Sequence, residues 1–331
     1  MLGRTLRVGA HLSPSYRSTA LRKLSRSSPI ANALFQQPVS RDARHNSTSA
    51  YQGIGGSPGR PTGGGGVDPV EVSHFDALAS SWWDAQGPSR LLHLMNPMRI
   101  DFAKHCLSMG IPVEATTDAG EGEGKGSSRG LTVLDVGCGG GIFSESVARL
   151  PNTAKVIGLD PSEQVLGVAR AHAKKDPTLS GKLQYINSSI DDYTPDHQFD
   201  LITLFEVVEH VPYPAAFLQT CMRHVRPGGW IVLSTIARTW SSWMTTKLIA
   251  EDLLHIVPRG THDWYKYINE PEMRSFFEKQ HGWGSQGMLS MGCLYVPGFG
   301  WKAIKGSEDY GNYFFGVYSQ LIKLKPTVTG R

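Results

Sequence analysis

The sequence predicts an α/β fold in which a mostly parallel sheet is covered by helices on both faces. Apolar, β-branched runs recur along the chain, and helix-compatible segments separate them. The first of these runs breaks directly into a cluster of glycines at residues 137–141. Strands that alternate with helices are joined by crossover connections, and such connections produce parallel sheets with helices on both faces.

The first predicted strand begins at Leu131 in the stretch LTVLDVGCGGGIF, and a helix is expected from Ile142. Glycines after a strand let the backbone approach a ligand closely, and the free N–H groups of the next helix favour a polar ligand. Ile142 occupies the place of the third glycine in the dinucleotide fingerprint. The turn at Gly137 and Gly139 therefore favours a nucleoside without a pyrophosphate and disfavours a nicotinamide dehydrogenase.

Asp160 is the second part of this predicted nucleoside site. It stands at the end of the next apolar run, where its carboxylate can accept hydrogen bonds from two ribose hydroxyls. Asp191 and Asp192 follow the third predicted strand and could reach an adenine amino group, although acidic loop residues are more often solvated. The turn and Asp160 together predict nucleoside binding more strongly than a tight structural turn.

Further strands and helices follow from the same patterns. After the first strand, strands are expected at 155–159, 183–187, 199–205 and 229–235, and closing strands from Trp283 onward include 313–322. Helices are expected at 142–150, 162–174 and 214–225. The carboxyl ends of the parallel strands then form the ligand-binding edge.

A helix ahead of the first strand is predicted at residues 73–82, with Ser73 as its cap, because apolar side chains recur at helical spacing. The next segment, LLHLMNPMRIDF, places Arg99 before another helical pattern. Such helices commonly just cover a sheet. The alternative is a lid over the nucleoside pocket, in which Arg99 pairs with a ligand carboxylate.

Composition excludes several classes of protein. The chain has 331 residues and a formal charge of +4, much of it in the first fifty residues, so the body gives no sign of nucleic-acid binding. The four cysteines include no C-x-x-C pair, which argues against a zinc site and a disulfide framework. No apolar run approaches the ~20 residues that span a bilayer, so any membrane contact is expected to be peripheral.

The amino terminus has the composition of a mitochondrial presequence. Residues 1–50 are rich in arginine and serine and have no acidic residue before Asp42; a disordered basic tail is the alternative. A flexible glycine-rich linker at 51–69 and a folded domain at 70–331 are expected to follow. Within that domain, residues 117–130 are predicted to be a disordered loop.

Two segments contain candidates for chemistry. If residues 206–210 turn helical, Glu206, Glu209 and His210 share one face and could hold Mg²⁺ or Mn²⁺. Acidic residues are also favoured at any helix start, and His210 could instead be a general base. The second segment is an insertion at 239–267, rich in tryptophan and apolar residues, which contains His262 beside Asp263 as a further candidate acid or base.

At this point the motifs resemble known proteins. LDVGCGGG with Asp160 resembles the S-adenosylmethionine site of the seven-stranded, Rossmann-like class I methyltransferases. A narrower resemblance, to the mitochondrial form of the ubiquinone biosynthesis O-methyltransferases, spans roughly residues 70–322. It rests on FDALASSWWD, LHLMNPMRIDF, LDVGCGGGIFSES, EVVEHVPYP, RPGGWIVLSTIART and VPRGTHDWYKYI.

The resemblance implies S-adenosylmethionine as methyl donor and Mg²⁺ as a second cofactor. The implied donor contacts are Arg99, Gly137, Asp160 and Phe205, and the implied metal ligands are Glu206, Glu209 and His210. Phe205 occupies a position where relatives vary, so a backbone or packing contact is favoured there.

The resemblance also implies a substrate and a location. The acceptors are polyprenylated catechols, namely a dihydroxybenzoate-type precursor and a demethylubiquinol. The enzyme is expected in a complex with other ubiquinone-biosynthesis proteins, in peripheral contact with the matrix side of the inner mitochondrial membrane. Residues 240–256 of the insertion are the predicted membrane-facing surface. A C-methyltransferase of a quinone precursor and a non-catalytic scaffold of the quinone-synthesis complex remain as alternatives.

Overall fold

The computed structural model describes residue 54 and residues 67–109, 130–238, 266–296 and 298–320. The predicted presequence at 1–50 lies outside these residues. So do most of the predicted linker at 51–69 and nearly all of the predicted loop at 117–130 and of the insertion at 239–267. The predictions made for these four segments stay predictions.

The described part of the chain forms a single mixed sheet of eight strands. They are β1 (Leu131–Val136), β2 (Thr153–Asp160), β3 (Leu183–Asn187), β4 (Phe199–Phe205), β5 (Val225–Ile236), β6 (Trp283–Val296), β7 (Gly300–Ala303) and β8 (Asn312–Ser319). The strand order is β3-β2-β1-β4-β5-β8-β6-β7. The predicted fold class is confirmed, and β7 is a short edge strand beyond the seven that were predicted.

The first five strands are parallel, and the last three are antiparallel to their neighbours. Parallel neighbours need crossover connections, and helices occupy those connections. The order places β1 and β4 side by side at the middle of the sheet, where the direction of winding reverses. Ligands bind outside the carboxyl ends of the strands at such a switch point.

Six α-helices lie in the described residues. They are α1 (Pro69–Leu78), α2 (Arg90–Met109), α3 (Ile142–Ala148), α4 (Glu163–Ala173), α5 (Pro214–Arg223) and α6 (Glu270–Glu278). Among the described residues, no helix combines the length and the apolar character that crossing a membrane requires.

Alternate strand residues are buried on opposite faces of the sheet, so each face has its own core. On β1, Val133 packs with Phe102 of α2 and Val147 of α3, whereas the next residue, Leu134, packs in the cluster that contains Phe217 of α5. Met273 of α6 belongs to the same cluster as Leu134. Helices therefore cover both faces, as predicted.

The first helix begins earlier than the sequence pattern indicates. α1 starts at Pro69, and Asp68 caps it by accepting a hydrogen bond from the Val70 N–H, so the predicted Ser73 cap is wrong. Asp is as good a cap as Ser, and proline is favoured in the first turn because its missing N–H has no partner there anyway. Residues 79–81 continue as a 3₁₀ turn that leads to Trp82.

Candidate active site

A cavity of about 730 Å³ lies at the carboxyl ends of β1, β2, β3 and β4. The residues that follow each of these strands form part of its wall, and α1, α2 and β6 contribute the remaining sides. Nearly all of the predicted site residues that the structure describes line this one cavity. The cavity is therefore the candidate active site.

The glycine turn contains positive φ angles, which residues with a side chain rarely adopt. Gly137 and Gly139 have φ angles of 67° and 53°, and a Cβ on Gly139 would lie 2.3 Å from the Trp82 ring. The neighbouring Trp83 donates from its indole nitrogen to the Gly140 carbonyl oxygen at 2.9 Å. The segment after α1 thus packs directly onto the turn, and the predicted sequence of strand, glycine turn and helix is confirmed.

Asp160 ends β2 and fixes the glycine turn through its carboxylate. Its Oδ2 accepts a hydrogen bond from the Gly139 N–H, and its Oδ1 accepts one from the Ser162 N–H, both at 2.9 Å. Burial raises the pKa of Asp160, and these two backbone donors oppose that rise. Because each carboxylate oxygen has further lone-pair capacity, Asp160 can also accept hydrogen bonds from ligand hydroxyls.

Arg99 is a buried cation without enough partners. It lies within α2 with 5% of its surface exposed, and its Nε and Nη2 atoms have no hydrogen-bond partner among the described residues. Burial lowers the pKa of Arg99, while the charges of Glu206 and Asp135 oppose this. A buried charge is costly unless it is paired. An anionic ligand group in the cavity would supply the missing hydrogen bonds.

Phe205, the last residue of β4, packs against Arg99. The Arg99 Cζ lies 5.2 Å from the centroid of the Phe205 ring, and the Phe143 and Phe205 rings contact edge to face with centroids 4.6 Å apart. The Phe205 side chain is 7% exposed. Its surroundings agree with the predicted packing role.

Glu206 occupies a strained backbone position immediately after β4. Its φ angle is 57°, the one positive value among the described residues other than glycine. Its carboxylate accepts hydrogen bonds from the Ser234 hydroxyl at 2.6 Å and the Asn312 side-chain amide at 3.3 Å. Backbone strain of this kind costs about 1–3 kcal/mol and clusters at functional sites, so the conformation supports a functional role for Glu206.

Glu209 is a buried carboxyl with a raised pKa. It is 3% exposed, and its Oε2 accepts a hydrogen bond from the Thr235 hydroxyl at 2.9 Å. Burial and the nearby charge of Glu206 raise the pKa of Glu209 to about 7. The two acidic side chains therefore lie close together at one end of the cavity.

The His210 ring contacts a carboxylate that lies far from it in the sequence. Its Nδ1 lies 3.0 Å from Oε2 of Glu71 on α1, and Lys266 donates to the other oxygen of Glu71 at 2.9 Å. Burial alone would lower the pKa of His210, but the hydrogen bond to Glu71 and the adjacent charges of Glu209 and Glu206 raise it. These same contacts to His210 and Lys266 overcome the effect of burial on Glu71 and lower its pKa to about 2.

The predicted metal site with three ligands is not formed in the described structure. Residues 208–210 make only a short 3₁₀ turn, and Glu206 precedes this turn with a φ angle of 57° instead of a helical one. Across the described residues, no group of three or more His, Cys, Asp or Glu side chains is placed to hold a metal ion. The other candidate catalytic residue, His262, lies outside the described residues.

Asp191 and Asp192, which follow β3, do not form part of the cavity wall. Asp191 accepts a hydrogen bond from Thr220 at 3.1 Å, and Asp192 accepts one from Ser189 at 2.6 Å. The wall after β3 is formed instead by residues 188–190. Their position directly after a strand was the signal that could have identified them.

The cavity therefore has two chemically different halves. The glycine-turn half contains Gly137, Gly139, Asp160 and Arg99, and it offers hydroxyl acceptors, close backbone approach and an unpaired cation. The carboxylate half contains Glu206, Glu209, His210 and Glu71, and it offers negative charge and a proton acceptor. The first half can hold a zwitterionic nucleoside, and the second can hold and deprotonate an acidic hydroxyl.

Comparison with known proteins agrees with this arrangement. A family model described as a methyltransferase domain matches residues 116–283. The mitochondrial ubiquinone biosynthesis O-methyltransferase of Candida albicans is 39% identical over 312 residues, which cover 86% of this chain and 93% of that relative. The corresponding protein of Saccharomyces cerevisiae is 38% identical and covers 75% of this chain and 86% of its own length.

Similarity to solved structures bears on the fold alone. The magnesium protoporphyrin IX methyltransferase of Synechocystis PCC 6803, solved with bound SAH, matches with a TM-score of 0.51 at 14% identity. That match covers 76% of this chain and 99% of the other. The fold, the family model and the near full-length relatives lead to one conclusion: this chain belongs to the family of ubiquinone biosynthesis O-methyltransferases.

Proposed function

We propose that this chain transfers the methyl group of S-adenosylmethionine to a phenolic oxygen of a polyprenylated catechol. The observation that most supports this reaction is the buried guanidinium of Arg99, whose Nε and Nη2 atoms have no hydrogen-bond partner among the described residues, in the same cavity as the glycine turn and Asp160. S-adenosylmethionine has a carboxylate, a ribose with two hydroxyls and an adenine. The carboxylate can pair with Arg99, the ribose hydroxyls can bond to Asp160, and the glycine turn lets the nucleoside approach the backbone closely.

The residues of the glycine-turn half bind the methyl donor in this proposal. Asp160 accepts hydrogen bonds from the ribose hydroxyls, and Arg99 pairs with the carboxylate of the methionine part in a charge-assisted bond. Gly137 and Gly139 let the donor approach the backbone without a Cβ in the way. Phe205 contributes by holding the Arg99 side chain in position through packing.

The carboxylate half receives the acceptor. A lone pair of the phenolic oxygen forms the new C–O bond, and the electron pair of the S–CH₃ bond passes to sulfur, which leaves S-adenosylhomocysteine. The phenolic proton must leave, and an unperturbed phenol ionises near pH ~10. His210 is the proposed base, because Glu71 fixes its ring and raises its affinity for a proton.

Mg²⁺ is part of the proposal with a reduced ligand set. Mg²⁺ is usually held by one or two carboxylates together with water and substrate oxygens, and the interacting carboxylates of Glu206 and Glu209 fit that donor set. His210 fits it less well, because its Nδ1 is bonded to Glu71. A bound Mg²⁺ would favour the ionised form of a catechol oxygen, as bound metals do for water.

The names of the relatives support part of the proposed cellular setting. The yeast relatives are described as mitochondrial, which supports a mitochondrial location for this chain, and the composition of residues 1–50 supports a removable presequence. We place the enzyme peripherally on the matrix side of the inner membrane, in a complex with other ubiquinone-biosynthesis proteins. The insertion at 239–267 would face the membrane, and His262 within it is an additional proposed acid or base.

The test is a methyl-transfer assay with product identification. The full chain is incubated with methyl-labelled S-adenosylmethionine and a catechol that has a short prenyl tail, with and without a chelator. We expect an O-methylated product whose formation falls with the chelator and recovers when Mg²⁺ is added. A ring-methylated product would instead indicate C-methylation. Binding of the donor without transfer would indicate another acceptor or a scaffold.

A further inference from the structure

The cavity has an apolar wall formed by the start of α2 and by the β6–β7 hairpin. Tyr295 of β6 and Trp301 of β7 are partners in the strand register, and their rings contact edge to face with centroids 5.5 Å apart. Both rings line the cavity and are half-buried, as are Leu91 and Leu92 in the first turn of α2. We call these four residues the aromatic wall.

The aromatic wall turns its apolar surface inward because its polar atoms are engaged elsewhere. The Trp301 indole nitrogen donates to the Leu91 carbonyl oxygen at 3.0 Å, and Arg90 donates to the Tyr295 hydroxyl at 3.3 Å. These two bonds join the start of α2 to the β6–β7 hairpin. The surface left facing the cavity consists of rings and aliphatic groups, which favour an apolar ligand.

This wall is continuous with the carboxylate half. Cys293 lines the cavity on the same face of β6 as Tyr295, two residues before it. Cys293 is paired with Asn312 of β8 in the strand register, and the Asn312 side-chain amide donates to Glu206 at 3.3 Å. A strand rises about 3.3 Å per residue, so Tyr295 lies about 7 Å along β6 from Cys293.

Exposed apolar side chains also lie at both ends of β7. Phe299, at the turn between β6 and β7, is 74% exposed, and Ile304, just after the opposite end of β7, is 41% exposed. The Phe299 N–H donates to the Val296 carbonyl oxygen at 2.9 Å, which fixes the turn. An apolar chain that leaves the cavity along the hairpin therefore meets apolar side chains outside as well.

We propose that the aromatic wall is the path by which the apolar tail of the acceptor leaves the cavity. The tail then extends along the β6–β7 hairpin while the catechol ring stays at the carboxylate half. This inference rests on the proposed function, and it assigns Tyr295 and Trp301 the selection of tailed over untailed acceptors. Contact between the tail and this wall is favourable in proportion to the apolar area that it buries.

The test compares two acceptors, a catechol without a tail and the same catechol with a tail of two isoprenoid units. The ratio of their kcat/KM values is measured for the full-length wild-type protein, for Tyr295→Ser and for Trp301→Leu. We expect the ratio of kcat/KM for the tailed acceptor to kcat/KM for the untailed acceptor to fall about tenfold in both variants. Trp301→Phe, which keeps an aromatic ring, is expected to retain most of the preference.

Tyr193→Ser is the matched control, because Tyr193 is also half-buried but does not line the cavity. It should leave the ratio unchanged. A ratio that stays constant in Tyr295→Ser and Trp301→Leu, or an equal loss on both acceptors, would overturn the proposed path while wild-type transfer still upholds the proposed function. No transfer by the wild type to either acceptor would overturn both. Because the two substitutions lie on different strands, one can be measured if the other fails to fold.

Discussion

The glycine-turn half and the carboxylate half of the cavity are built from different kinds of groups. The glycine-turn half is built from backbone: Gly137 and Gly139 adopt left-handed conformations, and Asp160 holds the turn through N–H groups. The carboxylate half is built from side chains that come from distant parts of the chain. Glu71 and His210 are 139 positions apart in sequence, and Glu206 is tied to Asn312 across 106 positions.

The proposed donor half is already organised, whereas the proposed acceptor half stores charge and strain. The described glycine-turn half lacks only partners for Arg99. The carboxylate half holds a strained Glu206 and a Glu209 whose pKa is raised to about 7. Substitutions in the first half should therefore weaken donor binding, and substitutions in the second should reduce turnover with donor binding intact.

The largest expected effect is on turnover. Glu209→Gln removes the buried charge beside His210 while keeping the size of the side chain and one acceptor for the Thr235 hydroxyl. We expect kcat to fall about a thousandfold, because Glu209 is a proposed Mg²⁺ ligand and a bound metal contributes several kcal/mol of charge stabilisation, and we expect the affinity for S-adenosylmethionine to stay near the wild-type value. Steady-state kinetics and calorimetric titration measure the two quantities, and a parallel loss of donor affinity would show that the halves are not independent.

A steric change in the glycine turn should abolish most donor binding. Gly139→Ala places a Cβ 2.3 Å from the Trp82 ring at a φ angle of 53°, so either the turn or Trp82 must move. We expect the affinity for the donor to fall about a hundredfold, or ~2.7 kcal/mol.

Gly167→Ala is the matched control for this change. Gly167 lies within α4, and a Cβ there would meet nothing within 4 Å. Because alanine is the better helix former, this control should be stabilised by up to about 1 kcal/mol and should bind the donor normally. Equal donor affinities for Gly139→Ala and Gly167→Ala would contradict the assignment of the turn.

Arg99→Met should lower the affinity for the donor without lowering the melting temperature of the free protein. Removing the charge takes away a charge-assisted bond to the ligand carboxylate, so donor affinity should fall about thirtyfold, or ~2 kcal/mol. The free protein should melt at an equal or higher temperature, because a buried cation that lacks partners is replaced by an apolar side chain of similar length. A lower melting temperature together with unchanged affinity would show that Arg99 is a structural residue.

The smallest effect is expected at Glu71, which acts only through His210. Glu71→Gln keeps the shape of the side chain but weakens its bonds to His210 and Lys266. We expect kcat to fall about tenfold from misplacement of the imidazole, with KM for the acceptor little changed. Loss of the Glu71 charge lowers the pKa of His210. The limb of the kcat profile that His210 controls should therefore move to lower pH. General destabilisation of the protein would not produce this shift.

Local patterns predicted most of the fold and the glycine-turn half. β3 at 183–187 and β4 at 199–205 have the predicted limits, because both are short apolar runs bounded by polar residues. The turn and Asp160 could be identified because glycine and a strand-terminal acid leave a signature within a few residues. The start of α1 was misjudged because Asp68 and Ser73 are both good caps.

The carboxylate half could not be derived from local patterns. The sequence favoured a helical arrangement of Glu206, Glu209 and His210, but Glu206 adopts a positive φ angle that glutamate rarely tolerates. Only tertiary contacts, such as its bonds to Ser234 and Asn312, can maintain that conformation. The partnership of Glu71 with His210 has no local signature, because neither residue is unusual in its own segment.

The most direct test measures donor affinity and kcat for Arg99→Met and Glu209→Gln side by side. Titration calorimetry with S-adenosylmethionine gives the first quantity, and labelled methyl transfer to a tailed catechol gives the second. The two-half account predicts that Arg99→Met loses donor affinity and approaches wild-type kcat at saturating donor, whereas Glu209→Gln binds the donor normally and loses turnover. If both variants lost affinity and turnover in the same proportion, the division of the cavity into a donor half and an acceptor half would be wrong.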